Sequence, residues 1–235
     1  QNDNNKKQDV SMQKITFVRH GQASYGSDNY DKLSELGHKQ TRLLGEYFKK
    51  IDYQFDAIYT GNMIRHHETA EQILNGMDVS THFNQIPNFD EFDFEAVVAA
   101  YLAFSGETLP CKDAPRSDFY RLLKQAMLAW SNNQLLHLPE TWQAFQHRVV
   151  AGVKHAITQH PNAQHILVAT SGGAIAMLKG HVLGLSVDKL VDMNLQIRNA
   201  SFHQYLVSPS HMHETSFNQI GHLELQANKA LLTYS

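Results

Sequence analysis

The chain has 235 residues, of which 42% are hydrophobic and 18% are charged. Apolar content at this level can offset the entropy lost on folding, so an intrinsically disordered protein is excluded. Lys and Arg number 20 against 23 Asp and Glu, a formal charge of -3, so no basic excess points to a nucleic acid partner. No apolar run approaches the ~18 residues that a membrane span needs. The length fits one α/β domain, with or without a large insertion.

The single cysteine, Cys111, excludes a disulfide framework and a cysteine-based metal site, and it fits a reducing compartment. We therefore expect a cytoplasmic protein. Residues 1–11 are polar and lack the apolar core of a secretory signal. We interpret them as an N-terminal arm that precedes a single domain over residues 12–235.

Three short apolar runs predict buried strands, at residues 15–18, 55–59 and 165–170, and each run leads through a polar turn into a helix. Ser34 is predicted to cap the first of these helices. The buried face of the second is predicted from residues that repeat at helical spacing, namely Met63, His67, Ala70 and Leu74. The helix after residue 173 is almost wholly apolar, as expected of a helix that covers a sheet.

Residues 95–160 have helical periodicity, interrupted by a loop at 105–116 that contains glycine and two prolines. A weak strand is predicted between residues 79 and 86, and two late strands at 202–207 and 217–223 are expected near sheet edges. Together these elements predict a three-layer α/β/α sandwich around a mostly parallel sheet with one edge strand reversed. The helices of residues 95–138 are expected to form a cap over the carboxyl edge of the sheet.

The polar turns after the three strands contain the residues best suited to bind a ligand or to react with it. Carboxyl ends of parallel strands meet at one edge of a sheet, where ligands bind. Glycine amides and helix N-termini favour an anion there. Arg19 and Arg65 would bring two permanently charged planar groups to that edge, with the imidazole of His20 beside them. This combination predicts a site that handles phosphate.

The same turns make the sequence recognisable. The stretches FVRHGQASYG, LSELGHKQTRLLGEYF, FDAIYTGNMIRHHETAEQI, NFDEFDFE and ILVATSGGAI occur in order along the chain. In this pattern the chain resembles the histidine phosphatase superfamily, which includes cofactor-dependent phosphoglycerate mutases and many phosphatases. The likeness covers most of residues 14–207.

The resemblance implies a role for each matching residue. His20 would take up the phosphoryl group, Arg19 and Arg65 would bind its oxygens, and Glu91 would protonate the leaving oxygen. The physical chemistry is consistent, because neutral imidazole is a good nucleophile at pH 7 and fixed positive groups stabilise a transferring phosphoryl group. The amides of Gly172 and Gly173 would be further donors. No metal and no other cofactor is expected.

One position departs from the pattern of the family. Relatives usually have a second histidine where this chain has Ser171. Serine donates one hydrogen bond but carries no charge, and the loss of a charge-stabilising donor can cost ~3 kcal/mol in the transition state. Activity would then be reduced, redirected or rescued by another group, and His66 and His67 are candidates for that rescue. Alternatively, Ser171 simply caps the following helix.

Other interpretations stay open for the remaining residues. Arg19 and Arg65 could form surface ion pairs, and Glu91 lies in an acidic stretch that could be a solvated loop. His211 and His213 lie on one face of a possible strand beside Glu214, but the spacing is not convincing for a metal site.

The leading hypothesis is a phosphatase that hydrolyses a phosphomonoester, either a small molecule or a phosphoprotein, through a phosphohistidine at His20. A phosphoglycerate mutase-like phosphotransferase is the first alternative. The second is a catalytically weak module that binds a phosphorylated ligand. No membrane or nucleic acid partner is expected, and the sequence predicts no particular oligomeric state.

Overall fold

The computed structural model describes residues 12–24, 31–226 and 228–234, so the arm predicted at residues 1–11 lies outside the described residues. The strands within these ranges are β1 (Gln13–Arg19), β2 (Ala57–Thr60), β3 (Asn84–Gln85), β4 (His165–Thr170), β5 (Phe202–Val207) and β6 (Met212–Gln219). The helices are α1 (Glu35–Lys50), α2 (Ile64–Met77), α3 (Phe94–Ser105), α4 (Arg116–Ser131), α5 (Trp142–Gln159), α6 (Gly172–Leu183), α7 (Val187–Asn194) and α8 (Gly221–Glu224).

The six strands form one sheet in the order β3-β2-β4-β1-β5-β6. Strands β1 to β4 run parallel to one another, and β5 is antiparallel to both of its neighbours. The predicted mostly parallel sheet is therefore confirmed. The reversed strand was expected at an edge, but β5 lies inside the sheet and β6 forms the edge. A tight turn causes this arrangement, because the amide of Ser208 donates to the carbonyl of His211 and returns the chain alongside β5.

The predicted strand at residues 217–223 is wrong in its bounds. Strand β6 begins earlier and ends at Gln219, and α8 follows from Gly221. The apolar residues Ile220 and Leu223 are buried because they pack with Leu231 and with leucines of α1, not because they belong to a strand. Their spacing of three is that of a helical turn.

Helices cover both faces of the sheet. Alternate side chains of β1 and β4 enter two separate hydrophobic clusters. One cluster joins Phe17 to α5 and α6, and the other joins Val18 to α1 and α2. The three-layer α/β/α architecture predicted from the sequence is confirmed. Ser34 caps α1 as predicted, since its hydroxyl accepts a hydrogen bond from the amide of Gly37 at 3.0 Å.

The buried face of α2 differs from the predicted one. Ala70 and Leu74 are buried as expected, but Met63 and His67 are only half-buried. Their place is taken by Arg65, His66 and Thr69, which the structure buries at the N-terminal end of the helix. Hydrophobic periodicity cannot identify polar side chains that are buried because they bond groups elsewhere in the fold, here Asp31, Ser171 and the amide of Gly21.

Helices α3 and α4 are joined by a loop, as the sequence predicts for residues 105–116. Cys111 lies exposed in this loop. The two helices pack on each other, and α4 also contacts α7. Among the described helices, none combines the length and apolar character needed to cross a membrane.

Helices α1 and α2 lie close together because glycine has no side chain, and this contact allows a test of the packing. A methyl group added at Gly76 would lie 2.3 Å from the backbone carbonyl oxygen of Arg42 in α1. Gly76→Ala should therefore force the helices apart and lower the free energy of unfolding by at least about 2 kcal/mol, although alanine is the better helix former. Urea unfolding measures this difference. Gly221→Ala is the matched control, because an added methyl group there meets nothing within 4 Å, and it should change stability by less than about 0.5 kcal/mol.

The burial of His222 in α8 should make the stability of the protein depend on pH. Its ring is buried near the rings of Tyr47 and Phe202, and this burial lowers its pKa from 6.5 to about 3. As the pH falls below 6.5, the unfolded chain takes up a proton here that the folded chain does not, so stability falls. His222→Phe should remove about 2 kcal/mol of the stability lost between pH 7 and pH 5, measured by urea unfolding at both values. The same replacement at His147, exposed on α5, should leave the loss unchanged.

Candidate active site

Three parallel strands end side by side at one edge of the sheet. Arg19 at the end of β1 pairs with Thr170 at the end of β4, and Thr60 of β2 pairs with Ala169. The turns that follow these strands open into a cleft of about 830 Å³. Its lining includes the predicted site residues Arg19, His20, Arg65, Glu91 and Gly172, together with Gly173 and apolar side chains of α3 and α4. The sixth predicted residue, Ser171, is fully buried just behind this surface.

His20 follows β1 and is held in one tautomer. Its backbone amide donates to the carbonyl of Thr170, and its Nδ1 lies 2.7 Å from the carbonyl oxygen of Gly21. Because a carbonyl oxygen only accepts hydrogen bonds, Nδ1 carries the hydrogen and Nε2 carries the lone pair. Burial lowers the pKa of His20 well below its usual value, and Arg65 and Arg19 lower it further. The ring is therefore uncharged at neutral pH.

Arg19 is oriented by backbone carbonyl groups. Its Nη1 donates to the carbonyl oxygens of Ile197 and of Tyr234, the latter at 2.9 Å. Tyr234 also lines the cleft. A carbonyl oxygen is only partly negative, so these contacts orient the guanidinium without neutralising its positive charge.

Arg65 lies in the first turn of α2 and is oriented by a carboxylate. Its Nη1 donates to Oδ1 of Asp31 at 2.8 Å. The second oxygen, Oδ2, accepts a hydrogen bond from the backbone amide of Ile64 at 2.9 Å. Asp31 therefore holds both the guanidinium and the N-terminus of the helix that carries it. Although it forms an ion pair, Arg65 is buried at the cleft and is not a surface residue.

Glu91 is bound to the start of α6. Its Oε2 accepts from the amide of Gly173 at 2.9 Å, and its Oε1 accepts from the amide of Phe92 at 3.1 Å. Burial raises the pKa of Glu91 above its usual value, and the hydrogen bond from Gly173 partly opposes that rise. A methyl group on Gly173 would lie 2.1 Å from Oε1, so a larger residue there would displace the Glu91 carboxyl group. The interpretation of Glu91 as part of a solvated loop is wrong.

The turn before Glu91 is held by Arg148 of α5. Its Nη1 donates to the carbonyl oxygens of Pro87 and Asp90, both at 2.9 Å. Its other nitrogens bind the carboxylate of Glu140 at 2.6 and 3.1 Å. This guanidinium thus fixes the backbone from which the Glu91 side chain extends.

Ser171 bonds a histidine and does not cap its helix. It occupies the N-cap position of α6, but its side chain makes no capping hydrogen bond. Its Oγ instead lies 2.7 Å from Nε2 of His66, a fully buried residue of α2. The ring centroid of His66 lies 5.9 Å from that of His20. His67 faces another way, with its Nε2 2.9 Å from the carbonyl oxygen of Gly61.

Within the described part of the chain, no three His, Cys, Asp or Glu side chains meet in an arrangement that could hold a metal ion. The rings of His211 and His213 stack at 6.3 Å, while Glu214 forms an ion pair with Lys179 and accepts from the hydroxyl of Tyr205.

The residues that orient the site have no signal in the sequence. Asp31, Tyr234 and Arg148 contact the site and its turns from residues 33 or more positions away, and contacts at such separations have no local sequence signal. The pairing of His66 with Ser171 spans 105 positions. The arrangement as a whole places a neutral imidazole, two guanidinium groups and a carboxyl group of raised pKa around one cleft. These groups are suited to bind a tetrahedral anion and to move a proton near it.

Comparison with known proteins identifies the family and the fold. Residues 15–220 match the histidine phosphatase superfamily (branch 1). The fold is similar to that of a phosphoglycerate mutase from Bacillus anthracis, with a TM-score of 0.66 and 18% identity over 94% of this chain and 99% of that one. It is also similar to a mycobacterial glucosyl-3-phosphoglycerate phosphatase, with a TM-score of 0.62 and 19% identity over 88% and 98% of the two chains.

A curated relative is matched over a short stretch. Seventy residues are 33% identical to the mitochondrial serine/threonine-protein phosphatase Pgam5 of Drosophila virilis, which is 29% of this chain and only 24% of the length of that relative. The family match, in contrast, extends from β1 to the residue before α8. The chain belongs to branch 1 of the histidine phosphatase superfamily.

Proposed function

We propose that the protein is a phosphomonoesterase that works through a phosphohistidine at His20. The observation that carries the proposal is the state of this ring: it is uncharged, its lone pair is on Nε2, and it lines the cleft with Arg19 and Arg65. Membership of a family of phosphatases and mutases supports a phosphate ester as the substrate.

In the first step, Nε2 of His20 attacks phosphorus as the bond from phosphorus to the ester oxygen breaks. The protonated carboxyl group of Glu91 gives its proton to the departing oxygen, and its raised pKa supports this role. Arg19 and Arg65 stabilise the charge on the phosphoryl oxygens. The products of this step are the free alcohol and a phosphoryl group bonded to Nε2.

In the second step, water attacks phosphorus while the Glu91 carboxylate accepts a proton from it. The bond between phosphorus and Nε2 then breaks, which returns the electron pair to Nε2 and releases inorganic phosphate. Glu91 ends protonated and His20 neutral, so the site returns to its starting state.

The helices α3 and α4 form the proposed cap and give the cleft its apolar wall. Their contribution to the lining includes Val98, Phe119 and Leu123. We propose that the alcohol part of the substrate has an apolar or aromatic portion that packs on this wall. A phosphoglycerate has no such portion, so mutase activity is the less favoured alternative. A binding module with weak catalysis is the second alternative.

The roles of His20 and Glu91 can be tested with substrates of different leaving groups. His20→Ala should abolish turnover. A rapid alkaline quench, which preserves a phosphohistidine, should trap phosphorylated protein in the wild type but none in this variant. Glu91→Gln should lower kcat/KM for an alkyl phosphate by about a hundredfold or more, because a poor leaving oxygen needs the proton. The loss should be much smaller for 4-nitrophenyl phosphate, whose leaving oxygen needs no proton.

Equal turnover by wild type and His20→Ala would exclude the phosphohistidine. A wild type that transfers phosphoryl groups to added phosphoglycerate faster than to water would indicate a mutase. No turnover at all, with inorganic phosphate still raising Tm in wild type but not in Arg65→Ala, would indicate the binding module.

The apolar wall can be tested at Phe119, a residue that lines the cleft and is 39% exposed. Phe119→Ala should lower kcat/KM for naphthyl phosphate by about tenfold, through the lost apolar contact, and change that for a small alkyl phosphate by less than about twofold. Leu136→Ala is the matched control, since Leu136 follows α4 and is 73% exposed. Equal losses for both substrates with Phe119→Ala would contradict the proposed preference.

A further inference from the structure

The contact between His66 and Ser171 lies beside the proposed nucleophile. Both residues are fully buried, and their side chains meet at 2.7 Å although His66 belongs to the first turn of α2 and Ser171 follows the end of β4. The His66 ring is tilted by 36° to that of His20, with 5.9 Å between centroids. A hydrogen bond this close to His20 can determine which hydrogen-bond donors face a phosphoryl group on that residue.

The direction of this hydrogen bond follows from the other ring nitrogen. Nδ1 of His66 is buried with no hydrogen-bond partner among the described residues. A buried N–H without an acceptor is rarer and more costly than an unpaired acceptor, so the hydrogen of the neutral ring belongs on Nε2. Nε2 then donates to Oγ of Ser171. Burial, Arg65 and His67 all lower the pKa of His66, which keeps the ring neutral.

The surroundings of Nδ1 are compact. A methyl group on Gly61 would lie 2.4 Å from Nδ1 and 2.6 Å from Oδ1 of Asp90, so the two atoms face the same small volume. The Asp90 oxygens already accept hydrogen bonds from the backbone and side-chain nitrogens of Asn62. The charged and titratable groups around the ring are therefore Arg65 and His67 on its own helix, His20 after β1, and Asp90.

The hydroxyl hydrogen of Ser171 remains available once Oγ accepts from His66. The side chain makes no capping bond to α6, and within the described residues Oγ has no other hydrogen-bond partner. Ser171 is followed directly by Gly172 and Gly173, which line the cleft. A serine whose oxygen is held by one donor can direct its hydrogen to an anion on the other side.

We propose that His66 is a positioning residue, which donates from Nε2 to Ser171 and so directs the serine hydroxyl to the phosphoryl group that His20 carries. Two uncharged side chains would then supply the donor that the second histidine supplies in relatives. The inference rests on the proposed function, because it needs a phosphoryl group at His20. It adds a role for His66 that the proposed reaction alone does not require.

A double-mutant cycle tests whether the two residues act as a unit. His66→Leu and Ser171→Ala should each lower kcat/KM for 4-nitrophenyl phosphate by about a hundredfold, because each removes the directed donor. The double variant should lose no more than about threefold beyond either single variant. His66→Gln keeps an N–H near the position of Nε2 and should recover at least tenfold over His66→Leu. His67→Leu, the neighbouring histidine of α2, should stay within about threefold of wild type.

Losses that multiply in the double variant would overturn the proposal, as would wild-type activity in His66→Leu. Unfolding midpoints identify loss of fold, and NMR provides a readout that needs no turnover. Long-range nitrogen–proton spectra of the vanadate complex should show the Nε2–H tautomer for His66, and an Nδ1–H tautomer would also overturn it. An inactive His20→Ala with fully active His66→Leu rejects only this inference, whereas an active His20→Ala rejects the proposed function.

Discussion

The site depends on the parallel pairing of β1, β2 and β4. The register places the ends of the strands at the same height, with Arg19 opposite Thr170 and Thr60 opposite Ala169. Each strand leads into a turn, and the residues that follow it line the cleft: His20 after β1, Arg65 after β2, and Gly172 and Gly173 after β4. A slip of one residue would turn every side chain of a strand to the opposite face, and both hydrophobic clusters oppose such a slip.

The second constraint is electrostatic. A nucleophilic imidazole must stay uncharged beside two guanidinium groups that are needed for an anion, and the same two charges help to lower its pKa. The chain orients Arg19 with the backbone carbonyl groups of Ile197 and Tyr234, and Arg65 with the carboxylate of Asp31. Burial raises the pKa of Glu91, although the amides of Gly173 and Phe92 and the charges of Arg65 and Arg19 partly oppose that rise.

Local signals predicted the parts of the fold that local physics determines. Apolar runs located β1, β2 and β4, and a serine before a helical pattern identified the cap of α1. Periodicity failed at residues 217–223, where Ile220 and Leu223 pack on α1, and at α2, where Arg65, His66 and Thr69 are buried. Arg19, His20 and Arg65 were predictable because they lie at or after the ends of strands, whereas Glu91 was implied by the family resemblance. Their partners, such as Asp31 and Tyr234, could not be predicted, because contacts between residues far apart in the chain have no local sequence signal.

The position of Cys111 has a practical consequence. It is the chain's single cysteine, it is exposed, and its loop also supplies Leu109 to the lining of the cleft. A thiol-reactive fluorophore would therefore attach at one defined point close to the opening, without prior removal of competing thiols. Emission from such a dye would report ligand entry and departure in real time, including for variants that no longer turn over.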